Sequence, residues 1–476
     1  MFITLGYGEP VRALARRNGD VSFWDASLGA PDPRPPLADD CETDVCIVGA
    51  GFTGLWTAYQ LVLARPQLDI VVLERERVGF GASGRNGGWL TPTLAAPRNG
   101  DRATAATRRA MLASVADVLA VCAQEQIDCD AAVGGVLRFA RNAAQRARLR
   151  AQLAAARDEA DPAGELVELD AGALAARVRV AGALEATWTP HGVRIQPAKL
   201  ARGLAQAAEQ RGVRILERTA VRELRAGESG ARGDGMAAAV TDRGSVRAPV
   251  VLRCLEGFTA GLRGERRRLL PLTSAMVVTE PLPEDVWAEI GWERAELLGD
   301  AAHAFVYAQR TADGRIALGG RGTYRYGSRT DRDGRVEQRT TAWLARRVRE
   351  LFPAAADAAI DHAWCGTIGV ARDWTASVRF DPRSGLGSAG GYVGYGVGAA
   401  NLAGRTLRDL VLREETELTR LAWVDHYARR WEPEPLRWLG ATGIAALYRA
   451  ADRRETASGS ARTSRLARAA DLIAGR

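Results

Sequence analysis

Residues 44–88 read DVCIVGAGFTGLWTAYQLVLARPQLDIVVLERERVGFGASGRNGG, and this stretch decides the fold. Asp44 to Val48 is a short apolar run with β-branched residues, Gly49-Ala50-Gly51-Phe52-Thr53-Gly54 follows it directly, and Leu55 to Ala64 has helical character. The order is strand, tight turn, helix. Gly49 permits the sharp turn, Gly51 lets backbone approach a pyrophosphate, and Gly54 lets helix and strand pack closely, while the helix N-terminus supplies free N–H groups and positive dipole. Pro66 closes the helix and Ile70 to Leu73 reads as a second buried strand. Glu74 stands at its end, twenty residues beyond Gly54, placed to accept from adenosine ribose hydroxyls, with Arg75 beside it. An acidic residue there argues against a 2′-phosphate and so against NADP. FAD and NAD remain.

The next ten residues separate those two. Gly79-Phe80-Gly81-Ala82-Ser83-Gly84-Arg85-Asn86-Gly87-Gly88 carries five glycines, which let backbone pack against a flat cofactor with N–H groups turned towards anionic oxygens. The segment resembles the glycine- and serine-rich run after the second strand in the D-amino-acid oxidase superfamily of flavoproteins, and most of all its amine-oxidising branch of glycine, sarcosine and γ-glutamylputrescine oxidases. The resemblance implies non-covalently bound FAD, with this segment under the pyrophosphate and beside the flavin.

Two further segments carry the same likeness. Pro197 to Gln210 reads as a helix, Gly212 to Leu216 as a strand, and Val221 falls where the family reads the adenine edge through a main-chain group. Near the other end, His362 to Asp373 is followed by Gly390-Gly391-Tyr392-Val393-Gly394-Tyr395-Gly396-Val397-Gly398 and a helix over Asn401 to Leu412. In the resembling enzymes this loop and helix face the flavin where negative charge gathers on reduction, and the helix dipole stabilises that charge. The implied contacts here are Gly366, Gly391, Gly394, Tyr395, Gly396 and Val397.

These signals predict an α/β protein, a Rossmann-like FAD-binding domain interleaved with an α+β substrate domain built on a mainly antiparallel sheet. The FAD-binding domain is expected over residues 41–100, 195–265 and 360–412, and the substrate domain over 101–194 and 266–359. An N-terminal arm covers 1–40 and a helical tail 413–476. Within the substrate domain, Thr273 to Thr279, Phe305 to Gln309 and Arg315 to Gly319 read as strands, the last two around an Asp313-Gly314 turn. Alternation sends Phe305, Tyr307 and Gln309 to one face and Val306 and Ala308 to the other. His303, Tyr307, Gln309, Arg310 and Arg321, with Trp364 and Tyr395, are the candidates for the catalytic and substrate-binding set. Trp89 adds an aromatic wall.

Composition narrows the class further. With 47% hydrophobic and 26% charged residues the chain reads as a globular protein able to bury a large core, and no apolar run approaches the roughly 18 residues of a membrane span. A cytoplasmic enzyme is expected. Six cysteines without CxxC spacing suggest neither a disulfide framework nor a zinc site, and the four histidines form no metal-ligand pairs. The formal charge of +8 is almost wholly arginine, interleaved with acids, so nucleic acid is not an expected partner. The tail is basic and helical, but Asp452, Glu455 and Asp471 weaken a membrane-surface reading.

The resemblance implies oxidation of a C–N bond in an amine or amino acid: hydride passes from the α-carbon to the flavin, the imine hydrolyses, and oxygen or another acceptor takes the electrons. One departure bears on that last step. Sarcosine oxidase carries a lysine over the flavin that promotes reaction with oxygen, whereas the matching strand reads Arg315-Ile316-Ala317-Leu318-Gly319-Gly320, and Lys199, the only lysine, sits elsewhere. Cys365 offers a thiol in a flavin-side segment.

Overall fold

A computed structural model describes residues 15–95, 105–158, 166–227, 229–230, 233–320 and 322–475. Val45–Val48 (β1) lies inside a six-stranded sheet, between Ile70–Leu73 (β2) and Val250–Arg253. Arg214–Leu216 extends the β2 side and Leu386–Gly390 the other, all parallel, with Ser377–Asp381 closing that edge antiparallel. Every residue of β1 and β2 is buried, as a parallel sheet covered on both faces requires. Phe52–Ala64 (α1), Pro197–Glu209 (α2) and Gly396–Leu412 (α3) pack one face through a core in which Leu55, Trp56 and Tyr59 are wholly buried.

Both helices that follow the glycine-rich turns at 49–54 and 390–398 begin earlier than their sequences suggest. Helix α1 starts at Phe52 rather than Leu55, taking Gly54 into its first turn, and α3 starts at Gly396 rather than Asn401. Periodicity locates a helix by its apolar stripe, and a glycine-rich first turn contributes little to that stripe.

The second sheet has ten strands and is mainly antiparallel. Leu270–Thr279 (β3), Val306–Arg310 (β4), Ile316–Gly320 (β5) and Ile360–Val370 (β6) form its centre in the order β6-β3-β5-β4, and Val136–Ala140 lies further along. Residues 360–370, assigned from sequence to the FAD-binding domain, are here: β6 pairs with β3 from Leu270↔Val370 to Thr279↔Ile360. Only from Ser377 onwards does the chain rejoin the parallel sheet. Ala237–Thr241 pairs with Gly244–Ala248, while Val250–Arg253 passes into the parallel sheet beside β1.

The N-terminal arm ties the two sheets together. Arg17–Asn18 adds to β6, Phe23 and Trp24 are buried against Trp364, and Arg34 bonds Glu209 and Glu217 of the other domain. Two tail helices, Leu436–Ser458 (α4) and Arg465–Ala474 (α5), pack as an antiparallel pair on the substrate side. Among the described residues no helix is long and apolar enough to cross a membrane.

Candidate active site

Gly49 takes φ +109° at the end of β1, and a Cβ on Gly54 would lie 2.0 Å from the Gly49 carbonyl oxygen, so strand end and helix start touch through backbone. That contact aims the N-terminus of α1 into a cleft of about 1330 Å³ of empty space, part of it open to solvent. No side chain caps α1 at Gly51; the Phe52 N–H donates to Ser83 Oγ (2.8 Å). Helix α3 is likewise uncapped by a side chain, and its first residues, Gly396 and Val397, line the same cleft. Helix geometry leaves first-turn N–H groups unpaired, so two positive helix ends face one space.

The cleft's other walls come from the predicted segments. Gly49, Gly51, Phe52, Thr53, Glu74, Arg75, Gly81, Ala82, Ser83, Asn86, Val221 and Gly394 line it. The glycine-rich run is held in place by Ser22 Oγ donating to the Gly84 carbonyl (2.7 Å) and by Asn86, whose amide donates to the Ser83 carbonyl (2.9 Å) and accepts from the Gly88 N–H (2.8 Å). Glu74 accepts from the N–H groups of Ala50 and Glu76, each at 2.9 Å. Burial pushes its carboxyl up to about 7 despite those two donors.

Sequence reasoning missed several lining residues. Glu256 reaches the cleft from the end of Val250–Arg253, accepts from the Tyr392 N–H (2.8 Å) and leaves Oε2 buried without a hydrogen-bond partner among the described residues; burial pushes it too up to about 7. Tyr392 shares a 3.0 Å hydrogen bond with Thr53 across the two helix starts. Both sit beyond strand ends of the parallel sheet, where ligands of such sheets bind, and that position was the available signal. Arg222 and Arg332 also line the cleft, and the Arg75 guanidinium is depressed by burial and then by these two cations.

Other predicted residues lie behind the cleft walls. Gly54 is packed on Gly49, Gly391 on Thr375, and Gly87 and Gly88 against Tyr307 and Gln309. Gly366 packs on the Arg85 side chain, and Arg85 itself turns away from the cleft into a buried ion pair with Asp331 (2.6 Å). Tyr395 is the N-cap residue of α3. Cys365 lies on the opposite face of β6, its Sγ 3.3 Å from the Arg335 carbonyl, with burial raising its pKa.

Among the catalytic candidates, Tyr307 stays with the cofactor side. Its ring packs on Gly87 and Gly319, meets Trp89 edge-on at 6.0 Å, and its hydroxyl lies 3.1 Å from Ser274 Oγ. Gln309 shares that face but is buried, donating to the Gly87 carbonyl (2.6 Å). Arg310 goes to the opposite face with Val306 and Ala308, over the Trp287 ring and bonded to the Trp292 carbonyl (2.6 Å). Trp364 is fully buried and donates to the Arg85 carbonyl (2.9 Å). His303 lies against the tail, between Arg148 and Glu455. Arg321 is outside the described residues.

Two helix starts whose N-cap residues offer no side-chain cap, the buried Glu74 carboxyl and three arginines suit a dinucleotide with an anionic centre, and the chemistry of the glycine-rich wall suits its flat ring. The fold and cleft define an FAD-dependent flavoprotein. Residues 44–410 match the family described as FAD dependent oxidoreductase, and the chain belongs to that family. The chain is 30% identical over 425 residues to gamma-glutamylputrescine oxidoreductase of Escherichia coli K12, covering 85% of this chain and 92% of that one. In fold it is similar to glycine oxidase from Geobacillus kaustophilus (TM-score 0.68, 21% identity, 81% and 100% of the two chains) and to iminodiacetate oxidase from Chelativorans sp. BNC1 (0.64, 22%, 80% and 99%).

Glu74→Gln removes the carboxyl acceptor, and above pH 7, where the carboxylate form prevails, FAD affinity is expected to fall roughly 10- to 100-fold, the worth of a hydrogen bond to an ionised group. Fluorescence titration of flavin-free protein reads this directly. The same protein also tests the raised pKa. A carboxyl held at about 7 when folded stabilises fully below its unfolded value of 4.5 and loses that contribution as pH rises through about 7. Across this window the unfolding midpoint of wild-type apoprotein is expected to fall relative to that of Glu74→Gln. Parallel pH profiles would contradict the assignment.

Proposed function

We propose that the chain oxidises the C–N bond of a primary or secondary amine or an amino acid. The observation that carries the reading is the convergence of the α1 and α3 N-termini on one cleft, with the Tyr307–Trp89–Ser274 group adjoining it through Gly87. The name of the Escherichia coli relative supports an amine as the reducing substrate. Bound FAD supplies the two-electron acceptor for hydride from the carbon that bears nitrogen.

The chain's own groups do the rest. Glu74 holds the ribose, and the first-turn N–H groups of α1 hold the pyrophosphate together with Arg75, Arg222 and Arg332. The start of α3 stabilises negative charge that develops opposite it. Trp89 and Tyr307 exclude water from the reacting carbon, and the Tyr307 and Ser274 hydroxyls orient the substrate nitrogen in its unprotonated form.

Oxygen is the proposed final acceptor, with hydrogen peroxide released. A second reading, transfer to a quinone or carrier protein, is favoured by one observation. On the cofactor-side face of β5 stand Ala317 and Gly319, and Lys199 is held by Asp130 (2.5 Å) and Asp128 (3.5 Å). Anaerobic mixing with a panel of amines and amino acids, γ-glutamylputrescine included, is expected to bleach the flavin band. Rapid return on admitting air, with peroxide formed, supports the oxidase; slow return selects the second reading, and no bleaching with any amine overturns both.

A further inference from the structure

We propose that the α4–α5 pair is a docking face for an anionic lipid bilayer. In sequence the three acids of these helices offset their arginines; in the structure all three turn inward. Asp452 accepts from the N–H groups of His303 (2.9 Å) and Ala304 (2.8 Å), Glu455 takes Arg148 (2.9 Å) and the His303 ring (3.0 Å), and Asp471 accepts from the Tyr448 hydroxyl (2.5 Å). What remains outward is cationic. Arg449, Arg453, Arg454, Arg462, Arg465 and Arg468 are exposed, and none has a side-chain hydrogen bond or ion pair among the described residues.

The other end of the pair is apolar. Leu436 is 61% exposed, Leu439 54%, Leu472 81% and Ile473 50%, with Trp438 at 36% beside them, although large apolar side chains elsewhere in the chain are mostly buried. Ser464 at the start of α5 bonds Glu455 near the end of α4, so the helices run antiparallel and each carries arginines towards one end and exposed apolar groups towards the other. Exposed leucine, isoleucine and tryptophan on the same helix pair as arginines that have no ion pair among the described residues is the chemistry of an interfacial helix, whose apolar groups enter the acyl boundary while the cations meet lipid phosphates.

A second copy fits less well. A two-fold contact places the same patch on both partners, which sets arginines against arginines or buries them on leucine without acids to pair them. An anionic surface complements the whole face.

The test uses the full-length holoenzyme and sedimentation with vesicles of phosphatidylcholine alone or mixed with phosphatidylglycerol. Binding is expected to the mixed vesicles, weakened by salt, and to be slight with neutral ones. Replacing Arg449, Arg453 and Arg454 together by Ser is expected to lower partition on the order of a hundredfold, at about tenfold or less per arginine near a charged surface. Leu472→Ser with Ile473→Ser is expected to lower it about tenfold or more from lost apolar burial. The flavin spectrum of each variant reports that it is folded, independently of any amine activity. Failure of the wild type to sediment with either vesicle, or equal sedimentation with both, overturns the proposal. So does a wild-type dimer in velocity sedimentation that Leu472→Ser with Ile473→Ser converts to monomer, which would assign the face to a second copy.

Discussion

Gly54→Val is expected to yield a protein with no flavin absorbance band. A Cβ at this position would stand 2.0 Å from the Gly49 carbonyl oxygen and 3.1 Å from the Ile47 side chain. Neither neighbour can yield, because Gly49 N–H is bonded to the Leu73 carbonyl (2.8 Å) and Ile47 is wholly buried in the sheet. The start of α1 must therefore move away from β1, which takes the N–H groups of Phe52 and Thr53 out of the cleft and breaks the 2.8 Å bond from Phe52 to Ser83. Overpacking costs about 1–3 kcal/mol for added methylenes in a core that can shift, and a clash with backbone stands at or above the top of that range. Loss of FAD affinity beyond about a hundredfold is the expected reading, since about 2.7 kcal/mol of displaced phosphate contacts corresponds to that factor. Equilibrium titration of purified apoprotein measures it, with far-UV circular dichroism reporting whether the fold is kept. Stoichiometric flavin in the variant as purified would remove α1 from the role given to it.

The segments that build the cleft were legible because each combines a sequence-local signal with a backbone requirement. Gly49 and Gly54 are read from spacing alone, and the structure uses them at a turn and at a helix–strand contact within six residues of chain. The catalytic side was less legible for a complementary reason. Alternation along β4 separated Tyr307 and Gln309 from Val306 and Ala308, but which polar member reaches open space depends on what lies opposite. Gln309 is spent on the Gly87 carbonyl, 222 residues away in sequence, and Arg310 on the Trp292 carbonyl. His303 and the tail acids tell the same story: Arg148 meets His303 and Glu455, the His303 and Ala304 N–H groups meet Asp452, and the Tyr448 hydroxyl meets Asp471, partners that no local pattern names. Residues 360–370 read from sequence as part of the FAD-binding domain because the strand carries Gly366 and Gly369 and leads towards the glycine-rich loop at 390–398, and only its pairing with β3 puts it in the second sheet.

Arg85 and Asp331 meet against β6, Arg85 donating to the Cys365 carbonyl and the Asp331 N–H to Thr367 Oγ1, and Asp331→Ala is expected to destabilise the protein by about 3–5 kcal/mol, the cost of leaving a buried charge uncompensated. Each side chain is 1% exposed and Arg85 Nη1 lies 2.6 Å from Asp331 Oδ2. Arg85 is further fixed by the Phe80 carbonyl (2.7 Å) and by the Phe80 ring, 4.5 Å from its guanidinium carbon, while Asp331 accepts from the Gly334 N–H (2.8 Å). The pair thus fastens the glycine-rich wall of the cleft to a loop of the substrate domain. Burial depresses the Arg85 guanidinium and Asp331 opposes that depression, so without Asp331 a cation remains in an apolar setting with carbonyl acceptors alone. A denaturant unfolding midpoint gives the cost, and flavin release in the same titration shows whether the wall goes first. The pairing of costs separates charge from packing: Arg85→Met combined with Asp331→Leu removes both charges at similar volume and is expected to recover most of what Asp331→Ala loses. Should the double variant be as unstable as the sum of its single changes, the shape of the interface rather than the ion pair would be what holds the wall, and the linkage to FAD binding would have to run through Asn86 and Ser22 instead.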